Sequence, residues 1–226
     1  MDLILIHGAL GCKSLFDESV PTINATCHPI DLSGHGNESL NPKSFAIEGF
    51  GKQVIEYMDS HNILKANIFG HSMGGYVALW IAAKYPNRVH ETVTLGTKLG
   101  WTQEVATREI KFLDPDKIIE KIPKFAQVLE VRHGKKWSNL LHATANLMVD
   151  LGDSKGLSKS NYQAIQTPTT LCLGEFDKMV TEQETREVAA YISNSDVQII
   201  EGFQHPLESI KAEQLGEFIN KKFHYN

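Results

Sequence analysis

Short apolar runs alternate along this chain with stretches of helical period. "LILIH" (Leu3 to His7), "ANIFG" (Ala66 to Gly70), "ETVTLG" (Glu91 to Gly96), "PTTLCLG" (Pro168 to Gly174) and "DVQIIEG" (Asp196 to Gly202) are brief and bounded by turn residues. They read as strands buried in a sheet. "ATCHPID" (Ala25 to Asp31) reads as a further strand, which Pro29 confines to an edge because proline has no amide to donate. Between the strands, Ile47, Phe50, Val54, Tyr57 and Met58 fall on one face of a helix that Ser44 would cap. "GYVALWIAAKY" (Gly75 to Tyr85) is an apolar helix stopped by Pro86, and a helical stretch runs from about Glu182 to Ile192. After Pro206 an amphipathic helix carries Leu207, Ile210, Leu215, Phe218, Ile219 and Phe223 on one side. This βαβα alternation predicts an α/β fold: a mainly parallel six-stranded sheet with helices on both faces.

One segment breaks the alternation. Residues 98–165 contain no strand pattern, while "DPDKIIEKI", with an Asp cap and Pro at the first helical position, "KFAQVLEVRH" and "KKWSNLLHATANLMVDL" all read as helices. The expectation is one domain over residues 1–226, with a core of 1–97 and 166–226 and a helical lid, 98–165, inserted after the fourth strand.

Composition narrows the function classes. The chain has 226 residues, 42% hydrophobic and 22% charged, with a net charge of −5. That is an ordinary globular balance and lacks the basic stripe of a nucleic-acid binder. Cys12, Cys27 and Cys172 form no CxxC pair, which argues against a disulfide framework and a zinc site and fits a reducing compartment. The apolar N-terminus lacks a basic start and is too short to span a membrane. The expectation is a cytoplasmic protein, monomer or homodimer, acting on a small molecule, with no nucleic-acid or membrane partner, no cofactor and no metal.

"IFGHSMGGYVAL" (Ile68 to Leu79) carries the chemistry. Gly70 and Gly74 flank Ser72 where a strand turns into a helix, a G-x-S-x-G arrangement that exposes the hydroxyl at the strand's carboxyl end. A phosphate loop is the weaker rival, since no Lys-Ser or Lys-Thr follows Gly75 and a Walker motif is therefore not available. A serine nucleophile needs a base and a group to orient it. His205, in "GFQHPLE", and Asp177, in "GEFDKMV", lie just past the ends of two other strands; Glu175 is the alternative acid. The oxyanion donors would be the Met73 amide and one from "HGALGC", with Ala9 preferred over Leu10. His7, His35 and His71 sit in turn motifs and read as structural. Within the lid, Trp101, Phe112, Phe125, Trp137, Leu141 and Met148 are candidates to line an apolar pocket.

With "HGALG" (His7 to Gly11), "DLSGHGNES" (Asp31 to Ser39), "GHSMGG", "LGEFDKMV" and "GFQHPLE", the chain resembles the α/β-hydrolase superfamily, and in particular its small esterase-like members. The resemblance implies a nucleophile at Ser72, a base at His205, an acid at Asp177, and acyl-enzyme chemistry on a small ester, lactone or thioester. The family's sheet commonly begins with two further strands, so the first strand here corresponds to its third. That implies the strand order 2-1-3-4-5-6, with the proline-bearing strand at the edge. A lyase or C–C bond hydrolase using the same triad, or a ligand-sensing protein on this fold, are the alternatives.

Overall fold

The computed structural model describes residues 1–225. Six parallel strands form one sheet in the order β2-β1-β3-β4-β5-β6. They are β1 (Asp2–Ile6), β2 (Thr26–Ile30), β3 (Ala66–His71), β4 (Val89–Leu95), β5 (Thr169–Gly174) and β6 (Ser195–Ile200). Successive side chains of a strand point to opposite faces, so a central strand is buried on both sides and is mainly apolar. In β1, Ile4 and Ile6 enter one core and Leu3 and Leu5 the other, all four fully buried. Pro29 lies on edge strand β2, opposite Leu5.

Helices α1 (Ile47–Ser60), α2 (Met73–Lys84) and α8 (Glu182–Ala189) cover the face that holds Ile4 and Ile6. Helix α9 (Ala212–Lys222) covers the other. Two helix boundaries differ from the sequence pattern. Ser44 does not cap α1, because the preceding turn closes on its own backbone. The Ser44 amide donates to the Asn41 carbonyl at 3.1 Å, the Ala46 amide donates to the Ser44 carbonyl at 2.9 Å, and Ala46 takes the cap position. Helix α9 begins five residues later than the apolar pattern suggests, with Leu207 in a short 3-10 turn and Ile210 past its end. Both still join the core that holds Phe218 and Ile219.

Between β4 and β5, among the described residues, run α3 (Gln103–Glu109), α4 (Pro115–Lys121), α5 (Pro123–His133), α6 (Trp137–Gly152) and α7 (Lys159–Gln163). Asp114 caps α4 through the Asp116 and Lys117 amides, with Pro115 at the first helical position. Leu113, Ile118, Leu129 and Leu141 form a small core inside this segment. Among the described residues, no helix is long and apolar enough to cross a membrane.

Candidate active site

The sheet's parallel order brings the carboxyl ends of β1, β3, β5 and β6 together, the edge at which α/β folds place their chemistry. Ser72 occupies the step from β3 to α2 with φ 51 and ψ −118. An L-residue is strained there, and the surroundings must hold it. They do so by close packing. A side chain on Gly70 would collide with the Gly74 carbonyl, and one on Gly74 with the Ile6 carbonyl, so helix α2 can reach the sheet only across two glycines. The Ser72 amide also donates to the Leu95 carbonyl at 2.8 Å, which ties the turn to β4.

His205 and Asp177 reach this serine from loops 133 and 28 residues away from their respective partners. The His205 Nε2 atom lies 3.2 Å from Ser72 Oγ, and Nδ1 lies 2.8 Å from Asp177 Oδ2. The other carboxylate oxygen of Asp177 accepts from the Met179 and Val180 amides at 2.8 and 3.0 Å. Burial opposes the charge on Asp177, but the His205 bond and these two amides outweigh it and hold the carboxyl below its ordinary pKa. A carboxylate on Nδ1 sets the imidazole tautomer that leaves Nε2 free to take the serine proton. Glu175, the other acid weighed from sequence, instead accepts from the Gly202 amide at 3.0 Å.

The three turn histidines support this arrangement. His71 Nε2–H donates to the His205 carbonyl at 2.8 Å, so the residue before the serine holds the backbone of the histidine. His7 donates through Nδ1 to the Gly8 carbonyl at 2.8 Å and accepts the Leu32 amide at 3.1 Å. Burial is the main cause that pushes the pKa values of both His7 and His71 down to about 4. His35 is pushed well below its ordinary value, first by burial and then by His7 and His133.

A cavity with mainly apolar walls opens beside Ser72 and His205. Ala9 and Met73, the preferred pair of oxyanion donors, border it together with Ser72, and Leu10 does not. Among the described residues, neither of those two amides donates to a protein acceptor. Of the aromatic and apolar lid residues expected in the pocket, Trp101 and Met148 line it. The other four do not. Phe112 and Phe125 are exposed at the surface of the segment between β4 and β5, and Trp137 and Leu141 pack into that segment's own small core. The walls come instead from Thr144, Leu147 and Leu151 of α6, with Ile47 and Tyr76 from the core and Met179 and Val180 from the loop after Asp177. The α6 residues share a face with Met148 at helical spacing, a signal present in the sequence. Lys98 and Glu109 also border the cavity, and the Lys98 amine is engaged by the Met179 carbonyl at 3.1 Å and by Glu184 at 3.8 Å.

A family model described as the alpha/beta hydrolase fold matches residues 3–116, half of the chain, a span holding the "HGALG" turn and Ser72. The chain belongs to the α/β-hydrolase family. This α/β-hydrolase is 26% identical over 97% of its length, and 89% of the relative's, to a Bacillus subtilis (strain 168) protein named as a 2-succinyl-6-hydroxy-2,4-cyclohexadiene-1-carboxylate synthase. It is 37% identical to a pimeloyl-[acyl-carrier protein] methyl ester esterase of Neisseria meningitidis serogroup C, over 38% of this chain and 32% of that one. Among solved structures, the enol-lactonase of Burkholderia xenovorans LB400 superposes with a TM-score of 0.77 at 18% identity, covering 99% of this chain and 90% of that one. At that identity the likeness is one of fold.

Proposed function

We propose that this α/β-hydrolase cleaves a small, largely uncharged carboxylic ester, lactone or thioester through an acyl-enzyme on Ser72. The observation that carries the reading is the unbroken relay from Asp177 through His205 to Ser72 at the mouth of an apolar cavity. Ser72 Oγ attacks the substrate carbonyl while His205 Nε2 takes its proton, and Asp177 stabilises the imidazolium. The Ala9 and Met73 amides receive the charge that develops on the carbonyl oxygen; each such donor typically supplies about 10²–10³ in rate. His205 returns the proton to the leaving group, then activates water to release the acid. The protein acts in this reading without cofactor, metal or macromolecular partner.

The cavity's chemistry favours this over a reaction on an anionic substrate such as the carboxylate in the name of the Bacillus relative. Its bordering cation, Lys98, is already engaged by Glu184, and Glu109 at the wall is paired with Arg108 at 3.0 Å. Burying a carboxylate against apolar walls without a free cation is unfavourable by several kcal/mol.

The test is hydrolysis of p-nitrophenyl esters of increasing acyl length by the wild type and Ser72→Ala. The wild type turns over short and medium chains and the variant loses at least about 10³-fold in kcat. A folded wild type that cleaves no ester of the series would sink the esterase reading and favour the lyase or sensor alternatives.

A further inference from the structure

His133, the last residue of lid helix α5, is 2% exposed and uses both ring nitrogens. Its Nδ1 accepts the Gly36 amide at 3.0 Å, and its Nε2–H donates to the Leu10 carbonyl at 2.9 Å. An amide only donates and a carbonyl only accepts, so the two bonds together select the neutral Nε2–H tautomer. Burial pushes the pKa of His133 below its ordinary value, which keeps the ring in that form.

Leu10 is the third residue of a reverse turn closed by the Gly11 amide on the Gly8 carbonyl at 3.1 Å, and its φ is 59. Turns of this kind call for glycine or asparagine at that place, and a leucine there is strained by about 1–2 kcal/mol. Relaxing Leu10 rotates the peptides of the segment that carries the Ala9 amide. The Gly8 carbonyl is anchored at the start of the turn by His7 and Gly11. At its end the Leu10 carbonyl is anchored, among the described residues, by His133 alone, across 123 residues of sequence. Two neighbours fix the ring's own position. Arg132 pairs with Glu208 at 2.5 Å, and the Lys136 amine donates to the carbonyls of Gly36 and His133 at 2.6 and 3.0 Å.

We infer that His133 is a positioning residue: from the lid, its bond to the Leu10 carbonyl holds the strained turn that aims the Ala9 amide at the oxyanion formed on Ser72. The inference rests on the serine-hydrolase reading above. It is read with a probe that needs Ser72 and the oxyanion donors but no particular substrate, the rate of Ser72 labelling by a fluorophosphonate. Attack of Oγ on phosphorus expels fluoride and puts negative charge on the phosphoryl oxygen.

His133→Gln and His133→Met have the same chain length, and only the first carries a donor to the Leu10 carbonyl. Labelling by His133→Gln stays within about threefold of wild type, and His133→Met slows by about 10–100-fold, the range for misplacing one reacting group. In ester hydrolysis the loss falls on kcat, with KM within about threefold, because the ring is not in the binding cavity. All rates are taken below the melting temperature of every variant. Should His133→Met not fold, His133→Asn replaces it, since the shorter amide still meets Gly36 but not Leu10. Equal labelling rates for the donor and non-donor variants, whether both normal or both slow, would overturn the inference. A wild type that labels at Ser72 yet cleaves no ester removes the esterase reading and leaves the labelling comparison decisive. A wild type that does not label removes both.

Discussion

Asp177→Asn lowers kcat for ester hydrolysis by about 10⁴-fold, while Glu175→Gln changes it less than about threefold. The size of the first effect follows from the two amides behind the carboxylate. The Met179 and Val180 N–H groups both point at Asp177 Oδ1, so an asparagine must place its oxygen there. Its NH₂ then faces His205 Nδ1. A donor at Nδ1 makes that nitrogen an acceptor and moves the imidazole proton to Nε2, facing Ser72. A ring in that tautomer cannot take the serine proton. The substitution is close to isosteric, so the fold is kept and the loss is chemical. Steady-state kinetics on the best p-nitrophenyl ester, with thermal melts on both variants, make the comparison. Loss of less than tenfold in Asp177→Asn would remove Asp177 from the proposed mechanism.

Acid weakens this fold well before its carboxylates are neutralised. His7 and His71 are buried and have pKa values of about 4 in the folded chain, against 6.5 ordinarily. Their bonds explain why the neutral form is kept. His7 uses one ring nitrogen as donor and the other as acceptor, and His71 has an unpartnered Nδ1 with no room for a charge beside His205. Above pH 6.5 neither state holds these protons and stability does not depend on them. As the pH falls from 6.5 towards 4 the unfolded chain takes them up and the folded chain does not, so stability drops by up to about 3 kcal/mol for each histidine. His35 adds to the same slope. Asp177 and Glu208, whose pKa values are lowered in the fold, extend the loss as the pH falls through their folded values. Set against a typical total of about 5–15 kcal/mol, this is a large share. Urea midpoints at pH 7.5, 6, 5 and 4.5 measure it; a flat profile across that range would show that the buried rings protonate without strain.

The sheet was legible because each rule points the same way. Strand β1 is apolar at successive positions, Pro29 demands an edge, and two glycines around Ser72 demand a close crossing of helix and strand. The sites for Asp177 and His205 were legible for a related reason. In a parallel sheet all strands end on one side, so residues just past strand ends are gathered whatever their separation in sequence. Lid geometry follows no such rule. Phe112, Phe125, Trp137 and Leu141 were candidates for an apolar pocket, but which face of an inserted helix turns inward is decided by contacts between helices, and those four face solvent or the inserted segment's own core. His133 was invisible for the same reason, since both of its partners lie about a hundred residues upstream. Ser44 misled because capping residues also favour turns, and the turn closed first.

The attachments of α5 bear on how such a protein can change. Its terminus and the turn after it touch the loop after β1, the loop after β2 and the loop carrying His205, through His133, Lys136 and Arg132 respectively. An insertion of this kind is usually the exchangeable part of a fold, free to vary while the sheet keeps the chemistry. Here a foreign lid would reshape the pocket and at the same time leave the Leu10 carbonyl and the Gly36 amide without their buried partner. Substrate range in this lineage is therefore expected to drift by single changes along α6, where side chains face the cavity, and not by wholesale replacement of the lid.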